Sequence, residues 1–577
     1  MEKTTLKEAP YGVSDFQLFR ENNFAYVDKT QFIELLETSK FFFPFIVRPR
    51  RFGKTLFTKI LRAYYDVVAA KDFERNFAGT YIGSHKTPLA NTYRVIQFDF
   101  SAIGSDDFKA GFVRKVWAGL FSFCERNGFK EGTEFLMREV KTYKNPLDLL
   151  NIFLSLYRIH FKEKIYLIID EYDQSPNDVL AVSLEDFRAL TRAGGLLKTF
   201  YGELKDLSGG DGPVERIFIT GVTSIQLDSM TSGFSNANNL TYESVFAGMF
   251  GFTEAELRDL IPQIIDLKKY GKTLDEVLER MREWYNGYVF CPDADITVFN
   301  SSMCLNYLKT IARTNQEPRN MLDSSVANSL DKIESILSLG DAAFVRDILS
   351  KALRHEPIPF GGEVQVLNLN DRAQFDNESV LSALIYMGFL TFSPGNWNTL
   401  VVPNRAIGIQ FFEYYFKKVL GASRGGFDKA EFAAAYRALA AGDPMPWLQL
   451  SEARLGESSG VHLNMHTTEN SLQLMLSATL CFSEDYKAQL EVESRGKDSV
   501  YMDMLLVPQK SKKLPTYIVE LKHVAKDATE AAAANELKEA REQAERYSAG
   551  ETVKDTPNLK RVALVYKGLR LAKAEIF

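Results

Sequence analysis

Hydrophobic residues follow two different patterns along the chain. Between residues 41 and 221, short runs are apolar at consecutive positions, at 41–47, 94–98, 165–169 and 216–220. Uninterrupted apolarity suits strands buried on both faces of a parallel sheet. Longer stretches with helical spacing separate these runs, so a layered α/β domain is expected. From 253 to 450 the spacing is mostly helical, as at 274–284 and 378–387, with a turn-rich interruption at 361–370. A polar stretch containing Gly and Ser, 452–460, reads as a linker. Beyond it the pattern predicts a helix at 468–480, capped by Thr467 or Thr468. Strands at 487–492, 500–507 and 516–521 follow, then a helix at 527–548 and a last strand at 561–566. The expected organisation is a parallel-sheet domain over 1–252, a mostly helical middle region over 253–450 and an αβββαβ domain over 461–577.

Composition narrows the class. The 577 residues are 45% hydrophobic and 25% charged, an ordinary globular balance. The net charge of -6 gives no global attraction for nucleic acid, so such a partner would need a local basic surface. The four cysteines, Cys124, Cys291, Cys304 and Cys481, form no CxxC pair, which argues against a disulfide framework or a cysteine zinc site. A reducing, cytoplasmic setting is expected. The first residues lack an apolar core like that of a secretory signal, and no run approaches a membrane span. His462 and His466 are four apart, yet a solvated segment is the better reading than a zinc site. Phe41–Phe43 and the aromatic cluster at 284–288 read as core, not as base-stacking platforms.

The run 41–47 leads into Arg48-Pro49-Arg50-Arg51-Phe52-Gly53-Lys54-Thr55, after which a helix is expected over 56–65. Its end matches the phosphate-loop pattern GxxxxGK[ST], placed between a strand and a helix as that motif demands. Gly53 would let the backbone approach a phosphate, Lys54 would reach the β- and γ-phosphates, and Thr55 would coordinate Mg²⁺. Arg48 stands where the first glycine belongs. Arg51, with Arg48 and Arg50, either adds charge to a phosphate site or lies solvated. The run 165–169 ends in Asp170-Glu171, an acid for Mg²⁺ followed by a general base for water. Thr220, at the end of 216–220, is a candidate sensor of the γ-phosphate.

A second constellation lies near the C-terminus. Asp503 sits on one expected strand, and Glu520-Leu521-Lys522 on the next. Residues two apart on a strand share a face, so Glu520 and Lys522 point the same way. Two carboxylates and an ammonium on one sheet face make a site for a hard cation and for phosphodiester hydrolysis. Glu469, opening the preceding helix, would add a carboxylate. Gln543 and Tyr547, four apart on the following helix, share a face toward the same place. A solvent-facing ion pair at a strand end is the bland alternative.

The chain resembles a family that joins an AAA-ATPase-like domain to a PD-(D/E)XK nuclease domain, which has a restriction-endonuclease-like fold. Tyr26-Val27-Asp28-Lys29-Thr30, the loop 48–55, Trp284-Tyr285-Asn286-Gly287-Tyr288, the stretch 384–391 and Val402-Pro403-Asn404 carry the resemblance. In that family the phosphate loop commonly lacks its first glycine. The resemblance implies binding of ATP, and a nuclease site of Asp503, Glu520 and Lys522, less firmly with Glu469 and Gln543. Mg²⁺ or Mn²⁺ is the metal expected at these carboxylates and nucleic acid the expected substrate, DNA ahead of RNA, although the sequence does not decide between the two. Relatives often carry Gly-Arg-x-Asp up to the motif acid, whereas here five residues separate Lys497 from Asp503. A nucleotide-driven switch with an inactive nuclease fold is the alternative, and the oligomeric state is left open.

Overall fold

The computed structural model describes the chain except residues 1–5, 104–106, 140–144, 175–183, 192–193, 209–211, 225–237, 319, 323–329, 339, 366–375, 416–428, 457–467, 481–482, 495–499 and 510–512. His462, His466, Cys481, the spacing before Asp503 and parts of the 361–370 and 452–460 stretches therefore lie outside the described residues. Two compact units emerge. One comprises Met1–Asp341 with Pro359–Asn404, the other Ala342–Ile358 with Arg405–Phe577. The middle region, expected as a segment by itself, is shared between them.

In the first unit, strands β1 (Pro44–Val47), β2 (Arg94–Asp99), β3 (Ile165–Asp170), β4 (Val214–Gly221) and β5 (Asn238–Asn239) form a parallel sheet in the order β2-β3-β4-β1-β5. The four apolar runs became these strands because both faces are covered; every residue of β3 is buried. Strand β5 has only two residues, both Asn, too short and polar to be read as a strand. Val47 pairs with Gly221 and Asp99 with Asp170, so the carboxyl ends align at one edge. That edge is where ligands bind in open α/β sheets. Helix α1 (Lys54–Tyr65) leaves β1 through Gly53, whose φ of 95° is a left-handed conformation costless only for glycine. Phe57, Ile60, Leu61 and Tyr64 are buried, Phe57 against Phe218 of β4 and Tyr64 against Phe73 and Phe77.

Helices Glu254–Ile264 and Leu274–Tyr285 complete part of this unit, each started by a capping box, Thr253 with Glu256 and Thr273 with Glu276. Two of the phrases that carry the resemblance meet here. Asn404 Nδ2 donates to Asn286 O at 2.8 Å, and Gly287, at φ 91°, packs directly on Pro403. A third phrase touches the phosphate loop, because Gly388 lies against Pro49. Lys29 donates to Gly248 O at 2.7 Å and to Glu256, so the 26–30 phrase is a structural brace.

In the second unit, strands β6 (Tyr486–Ser494), β7 (Val500–Pro508), β8 (Thr516–Val524), β9 (Leu559–Lys567) and β10 (Arg570–Ile576) form a mixed sheet in the order β10-β9-β8-β7-β6. Helix α2 (Glu469–Thr479) precedes it, and α3 (Glu530–Ser548) crosses from β8 to its parallel neighbour β9. The expected αβββαβ order holds, with β10 added as an antiparallel edge strand. Leu472 and Leu476 of α2 join Trp447, Tyr517, Val519 and Leu521 in one core, while Ala544 and Tyr547 of α3 join Leu505 and Ile518 in another. The sheet thus has a helical layer on each face.

Candidate functional site

At the aligned edge of the first sheet, the phosphate loop faces Asp170. The Thr58 hydroxyl donates to Asp170 Oδ2 at 3.3 Å, and Thr55 lies close enough to favour the ionised form of this carboxylate. Gln97 donates to Thr58 Oγ1 at 3.1 Å and accepts from Arg62 at 3.1 Å, so the acid ends a chain of buried polar groups. Burial, then the neighbouring Glu171, pushes the Asp170 carboxyl up to about 6, against the pull of Lys54. Lys54 is itself buried, which lowers its ammonium, while Glu171, Asp170 and Asp173 act the other way. Its Nζ donates to Arg48 O at 2.9 Å and Pro49 O at 3.0 Å. Glu171 sits at φ 53°, and its buried Oε2 has no hydrogen-bond partner among the described residues. The structure thus brings Lys54, Thr55, Asp170 and Glu171 together.

Four neighbouring residues stand apart from that group. Arg48 is 1% exposed, so it is neither solvated nor aimed at a phosphate. Its guanidinium donates to Val47 O at 2.9 Å, Thr241 O at 2.6 Å and Phe246 O at 3.3 Å, and lies 4.4 Å from the Phe290 ring centroid. Arg50 is exposed and Arg51 half-buried at φ 70°. Thr220 is buried, and its hydroxyl donates to Ile46 O at 2.8 Å, which ties β4 to β1.

Sequence reasoning passed over Asp173. It is fully buried and accepts from Val222 N at 2.9 Å, Thr223 N at 2.6 Å and the Thr223 hydroxyl at 2.6 Å. It therefore anchors the turn after β4 to the end of β3. Its place two residues beyond Glu171, in a second acidic step after a strand, was the available signal.

In the second unit, β7 and β8 pair from Leu506–Tyr517 to Met504–Val519. Asp503 and Glu520 stand one step beyond the last pair. Asp503 N donates to Glu520 Oε1 at 3.2 Å, and Leu521 N donates to Asp503 Oδ2 at 2.7 Å. The two carboxyl groups lie close enough to disturb each other's ionisation. Burial, then the charge of Asp503, pushes Glu520 up to about 9. Burial also raises Asp503, opposed by the Leu521 N–H and by Lys522 and aided by Glu469. Lys522 shares the strand face of Glu520 and is half-buried. Glu469 Oε1 accepts from His523 N at 3.2 Å, which sets it beside the group and not within it. Gln543 Nε2 donates to Glu539 along its own helix at 3.3 Å. Tyr547 lies near enough for Glu520 and Asp503 to raise its hydroxyl further than burial alone.

A residue missed from sequence completes this site. Gln473 Nε2 donates to Asp503 Oδ1 at 2.8 Å, and its buried Oε1 has no partner among the described residues. It lies four residues after Glu469 on α2, the spacing that puts both on one helix face. Among the described residues no three His, Cys, Asp or Glu side chains form a metal-holding group. The donor set still suits a hard divalent cation, since Mg²⁺ is commonly held by one or two carboxylates and keeps several waters. Two adjacent carboxyls, Glu520 buried and Asp503 half-buried, that ionise only with difficulty are the matching electrostatic sign.

Among the described residues no helix is long and apolar enough to cross a membrane, and Cys124, Cys291 and Cys304 are buried free thiols. A protein of Azotobacter chroococcum mcd 1, described as an uncharacterized protein in the vnfD 5' region, is 25% identical over 302 residues. That match covers 51% of this chain and 51% of the relative, so the chain spans about half the length of the relative it matches. A Walker-type ATPase of Pyrococcus abyssi overlaps 66% of this chain and 94% of its own at 12% identity, with a TM-score of 0.36, too slight a likeness to carry weight. The model of the Predicted AAA-ATPase family matches residues 10–231, around the phosphate loop, Asp170 and Glu171. That of the PD-(D/E)XK nuclease superfamily matches residues 467–575, around Asp503, Glu520 and Lys522. One chain thus joins an AAA-ATPase-like domain to a domain of the PD-(D/E)XK nuclease superfamily.

Proposed function

We propose that this protein is an ATP-binding, metal-dependent nuclease that cleaves phosphodiester bonds, of DNA in preference to RNA, and that ATP hydrolysis in the first unit regulates or drives the cleavage. The observation that carries this reading is the pair of half-buried Asp503 and buried Glu520, with Lys522 on the strand face of Glu520. Asp503 and Glu520 would hold Mg²⁺ or Mn²⁺, with Glu469 close by. Such an ion, when bound, supplies positive charge for the scissile phosphate and an activated water. The Lys522 ammonium orients that water or offsets charge developing on the phosphate. Gln473 holds the Asp503 carboxylate in place. In the first unit, Lys54 is the cation for the β- and γ-phosphates, Thr55 and Asp170 are the Mg²⁺ partners, and Glu171, with its unpaired oxygen, is the base for water.

The test is cleavage of supercoiled plasmid and single-stranded DNA with Mg²⁺ or Mn²⁺, with and without ATP. Wild type should cut, and Asp503→Ala and Lys522→Ala should not. Cleavage undiminished in those variants would refute the nuclease reading. The second reading, a nucleotide-driven switch that only grips nucleic acid or protein, is favoured by the absence of a three-carboxylate group among the described residues. It predicts ATP binding lost in Lys54→Ala, with no cleavage under either metal.

A further inference from the structure

We propose that Ser301 is a positioning residue for the phosphate loop, holding Arg51 in the left-handed backbone conformation on which the loop's shape depends. The proposal rests on the nucleotide-binding reading of that loop. Arg51 has φ 70°, a left-handed region that a side-chain-bearing residue adopts only under strain. Its carbonyl accepts two hydrogen bonds from outside the loop, from Ser301 Oγ at 3.0 Å and Ser302 N at 3.3 Å. The next carbonyl, Phe52 O, accepts from Gly251 N at 2.9 Å. Phe52 itself is wedged edge-on against Tyr288 and Phe290, with centroids 4.8 Å and 5.3 Å away.

These anchors act on the opposite side of the loop as well. A trans peptide is planar, and its N–H points away from its C=O. Fixing Arg51 O and Phe52 O outward therefore turns the N–H groups of Phe52 and Gly53 the other way. Neither N–H donates to a backbone carbonyl among the described residues. In phosphate loops such N–H groups cradle the anion. A glycine-rich loop reaches this shape through its own freedom, whereas here arginine occupies the left-handed position and a neighbouring hydroxyl holds it there. Ser301 is the first residue of helix Ser301–Thr314, and the N-cap is Asn300, which accepts from Met303 N at 3.2 Å. The Ser301 hydroxyl is thus not needed to start the helix.

The test is a double-mutant cycle read by binding of the fluorescent nucleotide mant-ATP with Mg²⁺ to the full chain, using wild type, Ser301→Ala, Arg51→Gly and the double variant, with Lys54→Ala as a control. Ser301→Ala should weaken binding about fivefold, the effect of one lost hydrogen bond, with an unfolding midpoint near that of wild type. Whatever Arg51→Gly does by itself, adding Ser301→Ala to it should change affinity less than twofold, because glycine adopts the conformation unaided. The same fivefold loss in both backgrounds would overturn the proposal, as would a wild-type affinity in Ser301→Ala. No binding by wild type would overturn the nucleotide reading and this proposal together, whereas binding lost in Lys54→Ala but untouched by Ser301→Ala would overturn this proposal alone.

Discussion

Gly287 and Pro403 touch so closely that a Cβ on Gly287 would lie 2.0 Å from the Pro403 carbonyl oxygen. Gly287 also has φ 91°, so any side chain there meets both strain and backbone. Gly287→Ala should destabilise the first unit by ~3 kcal/mol, the sum of a left-handed alanine and an overpacked contact. Gly12→Ala is the control, since Gly12 has φ 83° but nothing within 4 Å. It should cost only ~1 kcal/mol. Urea unfolding of both variants checks this, and equal losses would dismiss the Pro403 contact as the cause.

Restoring the missing first glycine should harm the protein. The Arg48 guanidinium satisfies three carbonyls and covers Phe290 in the interior. Arg48→Gly removes those three hydrogen bonds and opens a cavity, at a cost of ~3 kcal/mol or more. Among the described residues, only Phe246 O of the three acceptors keeps another donor, Met249 N at 3.1 Å. Thermal denaturation should show a lower midpoint and mant-ATP titration a weaker affinity. A variant as stable as wild type that bound nucleotide more tightly would contradict this assignment.

The pH dependence of stability should report the Asp503–Glu520 pair in metal-free protein. The folded state raises Glu520 from 4.5 to about 9, so it holds that proton more tightly than the unfolded chain. The corresponding stability is fully present below pH ~4.5 and is lost as pH rises through ~9. The midpoint of wild type relative to Glu520→Gln should fall steadily across that window. A constant difference between the two melting curves would exclude the shift.

On the proposed nuclease reading, Gln473→Ala should lower cleavage by about tenfold to a hundredfold, as loss of a residue that orients a metal ligand does. Asp503→Ala should abolish cleavage outright. Activity ratios at several Mg²⁺ concentrations would separate the two roles, because the loss in Gln473→Ala should shrink as Mg²⁺ rises. Wild-type rates in Gln473→Ala at limiting Mg²⁺ would remove Gln473 from the site.

Much of this was legible in the residues, for identifiable reasons. The runs at 94–98 and 165–169 announced their strands because a sheet covered on both faces needs apolar residues at every position. Strand β10 did not, since its edge residues are mostly half-buried and include Arg570, Lys573 and Glu575. Glu520 and Lys522 were readable because strand geometry alone fixes their common face. Gln473 was not, for a buried glutamine on a helix looks like a surface one until its partner is known. Arg48 shows the same limit from the other side. Its charge suggested a phosphate, but only the tertiary fold supplies the three carbonyls that hold it. The phrases at 284–288 and 402–404 were recognisable as text, and their mutual contact explains why both occur.

The division into units has a consequence for how this polypeptide can be dismantled. Ala342–Ile358 belongs with Arg405–Phe577, while the intervening Pro359–Asn404 returns to the first unit. Helix Ala342–Arg354 packs against Arg405–Tyr414 and α2. The sheet bearing Asp503 and Glu520 is contiguous, but the body that supports it is not. One protease nick cannot release that body whole, and one deletion cannot excise it. Expressed by itself, residues 405–577 would leave a helix behind on the severed partner.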